Sequence, residues 1–242
     1  MFPSHDADEP LRVALLEDDL LLRDRVLLPG LRDFGFDATG LETAAELYAH
    51  LNTQLADIVV LDVGLPDQSG FMVARQLRSQ SPTLGIVMLT GRGETIDRVR
   101  GLDEGADAYL SKPVEIELLA ATLHSLGRRL RGKTRRGSDT QGWRLDGGGW
   151  CLVSPSGGNV ALTKSERRLF QRLLASSGEI VTREALIATL TENVYDFDTH
   201  RLDSMIHRLR RKVADACGEP LPLIAVHGEG YVLNAIRRAT GK

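Results

Sequence analysis

Five side chains able to take part in phosphoryl chemistry follow apolar runs in the first half of the chain. Glu17 and Asp18 follow RVALL, Asp62 ends DIVVLD, Thr90 ends GIVMLT, and Lys112 comes shortly after DAYL. Clustered carboxylates raise one another's proton affinity unless a cation joins them, and an all-oxygen ligand set suits Mg²⁺. A carboxylate beside such an ion can attack a phosphoryl group and form an acyl phosphate. Lys112 would neutralise the developing charge, and the Thr90 hydroxyl would bind a phosphoryl oxygen.

The surrounding pattern predicts how these residues meet. Short apolar runs alternate with helix-length amphipathic segments, five of each, from RVALLE to EIELLAATLHSLGRRL. Such alternation predicts an α/β unit, a parallel sheet covered by helices on both faces. The polar residues stand at the carboxyl ends of the predicted strands, where the loops of such sheets open a crevice. The intervals from Asp18 to Asp62, Thr90 and Lys112 are each long enough for a crossover connection, so one edge can collect all of them.

Composition divides the chain into an acidic and a basic half. The 242 residues carry a net charge of -3, but residues 1–125 hold 10 Lys and Arg against 21 Asp and Glu, while residues 126–242 hold 20 against 12. We expect two domains, of which only the basic one meets a polyanion. No apolar run approaches the roughly 18 residues of a membrane span and no leader is apparent, so we expect a cytoplasmic chain without membrane contact. Cys151 and Cys217 lie in no paired spacing, so neither a disulfide framework nor a zinc site is indicated.

The charge changes within residues 126–142, whose Arg, Lys, Gly, Ser and Thr content is typical of a linker. A solvated tether is one interpretation of its basic residues, and a phosphate-binding arm is the other. The predicted organisation is a first domain at 11–125, a basic linker at 126–142 and a second domain at 143–238. Pro29 falls within the first long helical pattern, where it should kink or end the helix, so we expect that helix to stop short.

The second half predicts an α+β domain. Its first strands are broken by GGG and SGG, which indicates a small antiparallel sheet with Trp143 and Trp150 half buried. A capping box from Thr163 to Glu166 opens a helix that ends before Gly178. VTREALIATL and DTHRLDSMIHRLRRKVADACG predict two further helices, and LIAVHGEGYVLN predicts a pair of strands.

The last predicted helix has one apolar face and one basic face. Leu202, Ile206, Leu209 and Val213 recur at helical spacing, which predicts the buried side. The residues predicted to point outward are His200, Arg201, Ser204, His207, Arg208, Arg211 and Lys212. This basic face is long enough to lie in a major groove, although a solvated amphipathic helix gives the same pattern.

Three stretches of the acidic half resemble the receiver domain of two-component response regulators: EDD at 17–19, VVLDVGLPDQSG at 59–70 and VMLTGRGETIDRVRGLDEGADAYLSKP at 87–113. The resemblance implies a flavodoxin-like, doubly wound sheet of order 2-1-3-4-5, phosphorylated by a sensor histidine kinase. The residues it implies are Asp62 as phosphoacceptor, Glu17, Asp18, Asp62 and the Gly64 carbonyl as Mg²⁺ ligands, Thr90 and Tyr109 as switch pair, and Lys112 before a cis-linked Pro113.

The basic half resembles the winged helix-turn-helix output domain of the OmpR/PhoB family through LTKSERRLF, VTREALI, RLDSMIHRLRRKV and AVHGEGYVL. The whole chain therefore resembles an OmpR/PhoB-type regulator, which implies receiver pairing into a homodimer, promoter binding and transcription regulation. The resemblance implies that Arg208 contacts a base, because an arginine can donate two hydrogen bonds to O6 and N7 of a guanine. The other implied DNA contacts are Arg201, Ser204, His207 and Arg211, mostly on phosphates, and His227 in the wing.

The sequence departs from the family pattern at three places. Ala108 and Thr122 stand where an Asp and an Arg usually form an ion pair between two receivers. We therefore expect the relative orientation of the two paired receivers to be less strongly fixed. The wing carries His227 and Glu229 where family members have other polar residues, which predicts weaker or different wing contacts. The acidic loop at 188–199 lacks the usual Trp, so contact with RNA polymerase stays possible but unsupported.

Two other classes of protein stay open as alternatives. A Mg²⁺-dependent phosphatase or phosphotransferase also forms an aspartyl phosphate, but Gly64 stands where such enzymes normally carry a second acid. We therefore expect only auxiliary self-phosphorylation and dephosphorylation chemistry, and no enzyme in the usual sense. The second alternative is a phosphorylation-independent DNA-binding regulator with a weakly coupled receiver. The changes at Ala108 and Thr122 favour it, and the intact acidic cluster argues against it.

Overall fold

The computed structural model describes residues 9–91, 105–130, 142–146, 148–191 and 199–234. The chain divides into two compact units, Met1–Thr134 and Arg135–Lys242. Each unit has its own cluster of buried apolar side chains. Within the ranges given above, no helix has both the length and the apolar character needed to cross a membrane.

The first unit contains a five-stranded parallel sheet of order β2-β1-β3-β4-β5. Its strands are β1 (Arg12–Leu16), β2 (Asp37–Leu41), β3 (Ile58–Asp62), β4 (Gly85–Thr90) and β5 (Ala108–Ser111). Strands β3 and β4 are buried along their whole length, as expected when both faces of a sheet are covered. The predicted strands and their doubly wound order are confirmed.

Four helices lie in the described residues of this unit: α1, formed by a π-helical segment (Leu22–Leu27) and an α-helical segment (Leu28–Asp33), α2 (Ala44–Thr53), α3 (Gly70–Gln80) and α4 (Ile116–Leu130). Apolar residues of α2 and α3 pack on one face of the sheet. Helix α4 contacts β4 and α1. The predicted helix TIDRVRGLDEG falls on residues 95–105 and, apart from Gly105, lies outside the described residues.

Helix α1 does not stop at Pro29, so the expectation of an early end is wrong. A proline lacks the N–H donor, and its ring clashes with a preceding carbonyl in a regular α-helix. Here a wider π-helical turn precedes the proline, which stands in the first turn of the α-helical segment, where a missing donor is tolerated. Gly30 follows, and a Cβ atom at that position would clash with the Ile116 side chain of α4.

Helix α4 extends beyond the predicted first domain. It ends at Leu130, and both Leu126 and Gly127 are buried. Residues 126–130 of the predicted linker are therefore the last turn of a packed helix. A Cβ atom at residue 127 would clash with Leu11, so the glycine is what allows this close approach. Residues 131–141 lie outside the described residues.

The described residues of the second unit form two small antiparallel sheets and three helices, which confirms the α+β prediction. One sheet contains β6 (Arg144–Leu145), β7 (Cys151–Val153) and β8 (Asn159–Ala161), and the other contains β9 (Ile180–Thr182), β10 (Leu223–Val226) and β11 (Gly230–Leu233) in the order β10-β11-β9. The helices are α5 (Lys164–Ala175), α6 (Arg183–Ile187) and α7 (Thr199–Cys217). The predicted capping box between Thr163 and Glu166 is present. Trp150 is half buried as expected, whereas Trp143 is fully buried in the core.

Candidate functional site

Three acidic residues meet at one edge of the parallel sheet. Strands β1 and β3 are neighbours with Leu16 opposite Leu61, so the residues that end the two strands arrive side by side. Carboxylate oxygens of Glu17, Asp18 and Asp62 all lie within 4.8 Å of one another. Glu17 and Asp62 are buried, while Asp18 is exposed. The convergence predicted from the strand pattern is therefore present in the structure.

Lys112 bridges two of these carboxylates. Its Nζ donates to Glu17 Oε1 at 2.9 Å and to Asp62 Oδ2 at 2.7 Å. Its backbone N–H donates to the Thr90 carbonyl at 2.6 Å, and the following bond to Pro113 is cis, as the resemblance implied. Burial opposes the charged form of the lysine, but the hydrogen bonds to Asp62 and Glu17 outweigh it and raise the pKa of Lys112.

Glu17 is the most buried member of the cluster. Burial raises the pKa of this carboxyl, and the nearby charge of Asp62 adds to the effect, although the hydrogen bond from Lys112 opposes it. Its Oε2 atom lies 2.7 Å from Lys112 Nζ, so the lysine forms ion pairs with both Glu17 and Asp62. Buried carboxylate oxygens that meet two further carboxylates are a ligand set that suits a hard cation.

Two neighbours position Glu17 and the start of α1. The buried Arg23 donates from Nη1 to the Glu17 carbonyl at 3.0 Å and forms an ion pair with Asp24 at 2.9 Å. Asp19 accepts from the backbone N–H groups of Leu21 and Leu22 at 2.9 and 3.1 Å, so it caps a helix and is not part of the cluster. Arg23 does not stand out in the sequence, because an arginine within a helical pattern is normally solvent-exposed.

Asp62 is held by the turn that follows it. Its Oδ1 accepts from the Gly64 backbone N–H at 3.3 Å, while Oδ2 is bonded to Lys112. Helix α3 begins at Gly70 directly against this strand, since a Cβ atom there would clash with the Asp62 carbonyl oxygen. The absence of a side chain at Gly70 therefore allows α3 to begin close to the backbone of Asp62.

Thr90 and Tyr109 lie on adjacent strands. Thr90 ends β4 and is buried, with Ser111 of β5 opposite it. Tyr109 lies opposite Met88, is half buried and packs against the core of the unit. The two predicted switch residues therefore stand near the same end of neighbouring strands.

Arg78 is a further residue that the sequence analysis did not single out. It donates four hydrogen bonds of 2.8 Å, to the carbonyls of Gly105, Pro82 and Leu84 and to Asp107 Oδ2. Asp107 also accepts from the Ile86 backbone N–H at 2.9 Å. The arginine thus ties the end of α3 to the segment that leads into β5 and Tyr109.

Helix α7 of the second unit has the predicted apolar and basic faces, with one exception. Leu202, Ile206, Leu209 and Val213 are buried. The exposed residues of the helix that were predicted to point outward, here called the basic face, are His200, Arg201, Ser204, His207, Arg208 and Arg211.

Lys212 does not belong to the basic face, so its assignment from sequence is wrong. Its Nζ lies 2.8 Å from Glu166 Oε2, and its side chain is only 17% exposed. Glu166 is buried because it caps α5, where its Oε2 accepts from the Thr163 N–H at 2.8 Å. A buried carboxylate needs a partner, and a long lysine side chain at the edge of the helix can reach it.

Between β10 and β11 the chain turns through His227, Gly228 and Glu229, here called the wing turn. All three residues are exposed, and the Glu229 N–H donates to the Val226 carbonyl at 3.2 Å. Gly228 adopts a φ of 76°, a conformation that glycine takes without strain. His227, predicted to contact DNA, therefore stands at the tip of this hairpin.

Comparison with known proteins gives matches to both halves. A family model described as response regulator receiver domain matches residues 13–124, and one described as transcriptional regulatory protein, C terminal, matches residues 157–233. The TorCAD operon transcriptional regulatory protein TorR of Escherichia coli is 32% identical over 93% of this chain and 98% of its own. The two-component response regulator PhoP of Pseudomonas aeruginosa is 34% identical over 92% of this chain and 97% of its own.

A solved structure, that of DrrB, an OmpR/PhoB homolog of Thermotoga maritima, is 26% identical over 93% of this chain and all of that one, with a TM-score of 0.44. The two family models and the full-length relatives agree with the two units and their order along the chain. The resemblance stated from the sequence is thereby confirmed. The chain belongs to the OmpR/PhoB family of two-component response regulators, which control transcription.

Proposed function

We propose that this regulator is switched by transfer of a phosphoryl group from a sensor histidine kinase to Asp62. The observation that carries the proposal is the cluster in which Glu17, Asp18 and Asp62 lie within 4.8 Å of one another beside Lys112. Asp62 is buried but stands at the open edge of the sheet, where a phosphoryl donor reaches it. The receiver match supports a histidine kinase as partner.

Glu17, Asp18 and Asp62, with the Gly64 carbonyl, hold Mg²⁺ in this proposal. Bound Mg²⁺ neutralises the carboxylates and grips phosphoryl oxygens. The meeting of three carboxylates beside one lysine supports the assignment, because a single ammonium group carries too little positive charge to neutralise them. The ligand set is oxygen only, as Mg²⁺ prefers.

In the transfer step a carboxylate oxygen of Asp62 attacks phosphorus while the bond from phosphorus to the donor's imidazole nitrogen breaks. The imidazole leaves with the electron pair of that bond, and Asp62 becomes an acyl phosphate. Lys112 exchanges its bond to Asp62 for one to a phosphoryl oxygen, and the Thr90 hydroxyl binds another. Thr90 then shifts together with Tyr109, which acts as the switch. The chain carries out only this phosphorylation and its reversal, so it is not an enzyme in the usual sense.

The second unit binds promoter DNA through the basic face of α7. Arg208 reads a guanine edge, while Arg201, Ser204, His207 and Arg211 bind mostly to phosphates, and His227 contacts DNA from the wing turn. Their exposure on one helix and one hairpin supports this reading. Phosphorylated receivers pair, and the two output domains bind half-sites about one helical turn apart.

The functional division proposed is a phosphoacceptor domain at 11–125, a basic connection at 126–142 and a DNA-binding domain at 143–238. The end of α4 at Leu130 means that the first part of this connection is helical. Because the proposed regulator acts on promoter DNA after phosphorylation by the kinase, we propose that it acts in the cytoplasm.

A second candidate is DNA binding that does not depend on phosphorylation. Thr122 donates its hydroxyl to the Leu118 carbonyl of its own helix at 2.8 Å, and Ala108 has no polar side chain. Neither position therefore offers the ion pair that joins receivers in the resembling regulators. The buried acidic cluster and its lysine favour the phosphorylation-gated function, because a receiver without a switching role has no need of them.

The test is a genome-wide map of the DNA bound in the native cell by the wild type and by Asp62→Ala at matched protein levels. Asp33→Ala, which removes an exposed carboxylate away from the cluster, is the control. Loss of the peaks in Asp62→Ala alone is expected. Peaks that persist in Asp62→Ala would favour phosphorylation-independent binding.

A further inference from the structure

Four side chains join helix α7 to the hairpin that carries the wing turn. Tyr231 of β11 is 4% exposed, and its hydroxyl donates to Asp203 Oδ1 at 2.6 Å. Arg183, at the start of α6, has its Nε 3.6 Å from the same oxygen and its guanidinium 5.3 Å from the centre of the Tyr231 ring. The Arg210 guanidinium lies 5.9 Å from that ring centre, and its Nε donates to the Leu223 carbonyl at 3.0 Å.

These contacts attach α7 to the hairpin at two places. Asp203 and Arg210 are about two helical turns apart, so they lie on the same side of the helix. Asp203 is bonded to β11, and Arg210 is bonded to β10, the two strands that flank the wing turn. A single contact would leave the helix free to rotate, whereas two contacts along its length fix both its rotation and its distance from the hairpin.

Asp203 stands at the border of the basic face, between Arg201 and Ser204 in the chain. Its side chain is 46% exposed, so it brings a negative charge close to a surface proposed to meet phosphates. Packing alone does not require a carboxylate at this position. The nearby Arg183 offsets the charge, and burial together with the bond to Asp203 raises the pKa of Tyr231 to about 12. The phenol therefore remains a hydrogen-bond donor at neutral pH.

We propose that Asp203 and Tyr231 are a positioning pair, which holds the wing turn in a fixed place relative to the basic face so that both contact one DNA site together. This inference rests on the proposed DNA-binding function and adds to it two residues that act without touching DNA. Surfaces that are already oriented in the free protein lose less conformational freedom on binding, so their affinity is higher.

The experiment uses the full-length protein, phosphorylated with phosphoramidate and Mg²⁺, and a DNA duplex that the wild type selects from a randomised pool in that state. Tyr231→Phe removes only the hydroxyl. Asp203→Asn retains an oxygen that can accept the hydrogen bond from the Tyr231 hydroxyl. A wing variant with His227→Ala and Glu229→Ala identifies, by hydroxyl-radical footprinting, the DNA positions that depend on the wing turn. Tyr48→Phe, which removes a hydroxyl bonded to Gln76 at 2.9 Å in the first unit, is the matched control.

We expect Tyr231→Phe to lower affinity about tenfold, the effect of losing a hydrogen bond to a charged group. It should also abolish protection at the wing-dependent positions while protection by the helix remains. Combined with the wing variant, Tyr231→Phe should cause no further loss, because the contact that it positions is already absent. Asp203→Asn should stay within about threefold of the wild type, since a hydrogen bond is retained, and Tyr48→Phe should be unchanged.

Three results would contradict the proposed positioning role of Asp203 and Tyr231. They are unchanged affinity in Tyr231→Phe, an equal loss with and without the wing variant, and a wing variant whose footprint equals that of the wild type. Thermal unfolding is measured alongside, and failure of both Tyr231→Phe and Asp203→Asn to fold would also contradict it, since the pair would then serve folding alone. If the wild type selects no sequence from the pool, the proposed DNA-binding function fails instead.

Discussion

Lys112 Nζ lies 2.7 Å from Asp62 Oδ2, closer than to the hydrogen-bonded oxygen of Glu17 at 2.9 Å. The lysine therefore partly neutralises the carboxylates proposed to hold Mg²⁺. A cation and an ammonium group that share the same oxygens repel each other. In the proposed mechanism we therefore expect both Mg²⁺ binding and phosphorylation to loosen the bond from Lys112 to Asp62.

Removing this lysine should strengthen Mg²⁺ binding and weaken phosphotransfer. For Lys112→Ala we expect Mg²⁺ affinity to rise about tenfold, equivalent to about 1.4 kcal/mol, because one competing charge is lost. The rate of phosphorylation by a small donor should fall, since the ammonium group that helps to neutralise the transferred phosphoryl group is then absent. Isothermal titration calorimetry with MgCl₂ measures the Mg²⁺ affinity. The control is Lys164→Ala, which removes an exposed lysine of α5. Unchanged Mg²⁺ affinity would show that Lys112 does not compete.

Arg78 should contribute more to stability than a typical surface arginine. Arg78→Ala removes the arginine donor from three carbonyls and one of the donors to Asp107, so we expect the free energy of unfolding to fall by about 2–3 kcal/mol. Arg129 contacts the same Asp107 at 3.2 Å, but its side chain is 60% exposed, so Arg129→Ala should cost less than about 1 kcal/mol. Urea unfolding followed by circular dichroism compares them, and equal losses would refute the distinction.

Lys212 and Arg211 are adjacent in the chain but should behave oppositely. Lys212→Ala leaves the buried Glu166 without its ion-pair partner, so stability should fall by about 2–3 kcal/mol. Arg211→Ala, at a side chain 78% exposed, should leave stability unchanged, weaken DNA binding and lower the salt dependence by about one unit of slope.

Tryptophan fluorescence can measure the unfolding of Lys212→Ala and Arg211→Ala, because both tryptophans, Trp143 and Trp150, belong to the second unit. Binding of the selected duplex at several salt concentrations measures the DNA affinity of each variant and its salt dependence. A loss of DNA affinity in Lys212→Ala without a loss of stability would restore the sequence-based assignment of Lys212 to the basic face.

Tyr231 should ionise later than an ordinary tyrosine. Burial, followed by the bond to Asp203, raises its pKa from 10.0 to about 12. The folded state then keeps a proton that the unfolded state loses, so stability from this group is present below pH 10 and is lost as pH rises towards 12. Ultraviolet titration of the phenolate should show a late phase that is missing in Tyr231→Phe. A titration curve unaffected by Tyr231→Phe would contradict the described environment.

Much of the acidic site follows from the sequence because a parallel sheet has a simple rule. Strands that run the same way end at the same edge, so Glu17, Asp62 and Thr90 had to converge once the strands were identified. The apolar face of α7 follows from helical spacing in the same way. The sequence pattern indicates where a strand ends and which side of a helix is buried. The positions of these residues can be predicted from that information alone.

Contacts between distant residues do not follow from periodicity. Lys212 sits at a polar position of its helix, yet it turns to Glu166, which is 46 residues away in the chain. The bond from Tyr231 to Asp203 spans 28 residues, and no local pattern announces it. No local pattern predicts the π-helical turn that precedes Pro29 in α1, nor the close approach of Gly30 to Ile116 of α4.

The central claim is that Asp62 accepts a phosphoryl group, and intact-protein mass spectrometry tests it most directly. The wild type and Asp62→Ala are incubated with phosphoramidate and Mg²⁺, and with phosphoramidate and a chelator. We expect a gain of one phosphoryl group in the wild type with Mg²⁺ and none in Asp62→Ala. An equal gain in Asp62→Ala, or no gain in the wild type although Mg²⁺ binds, would contradict it.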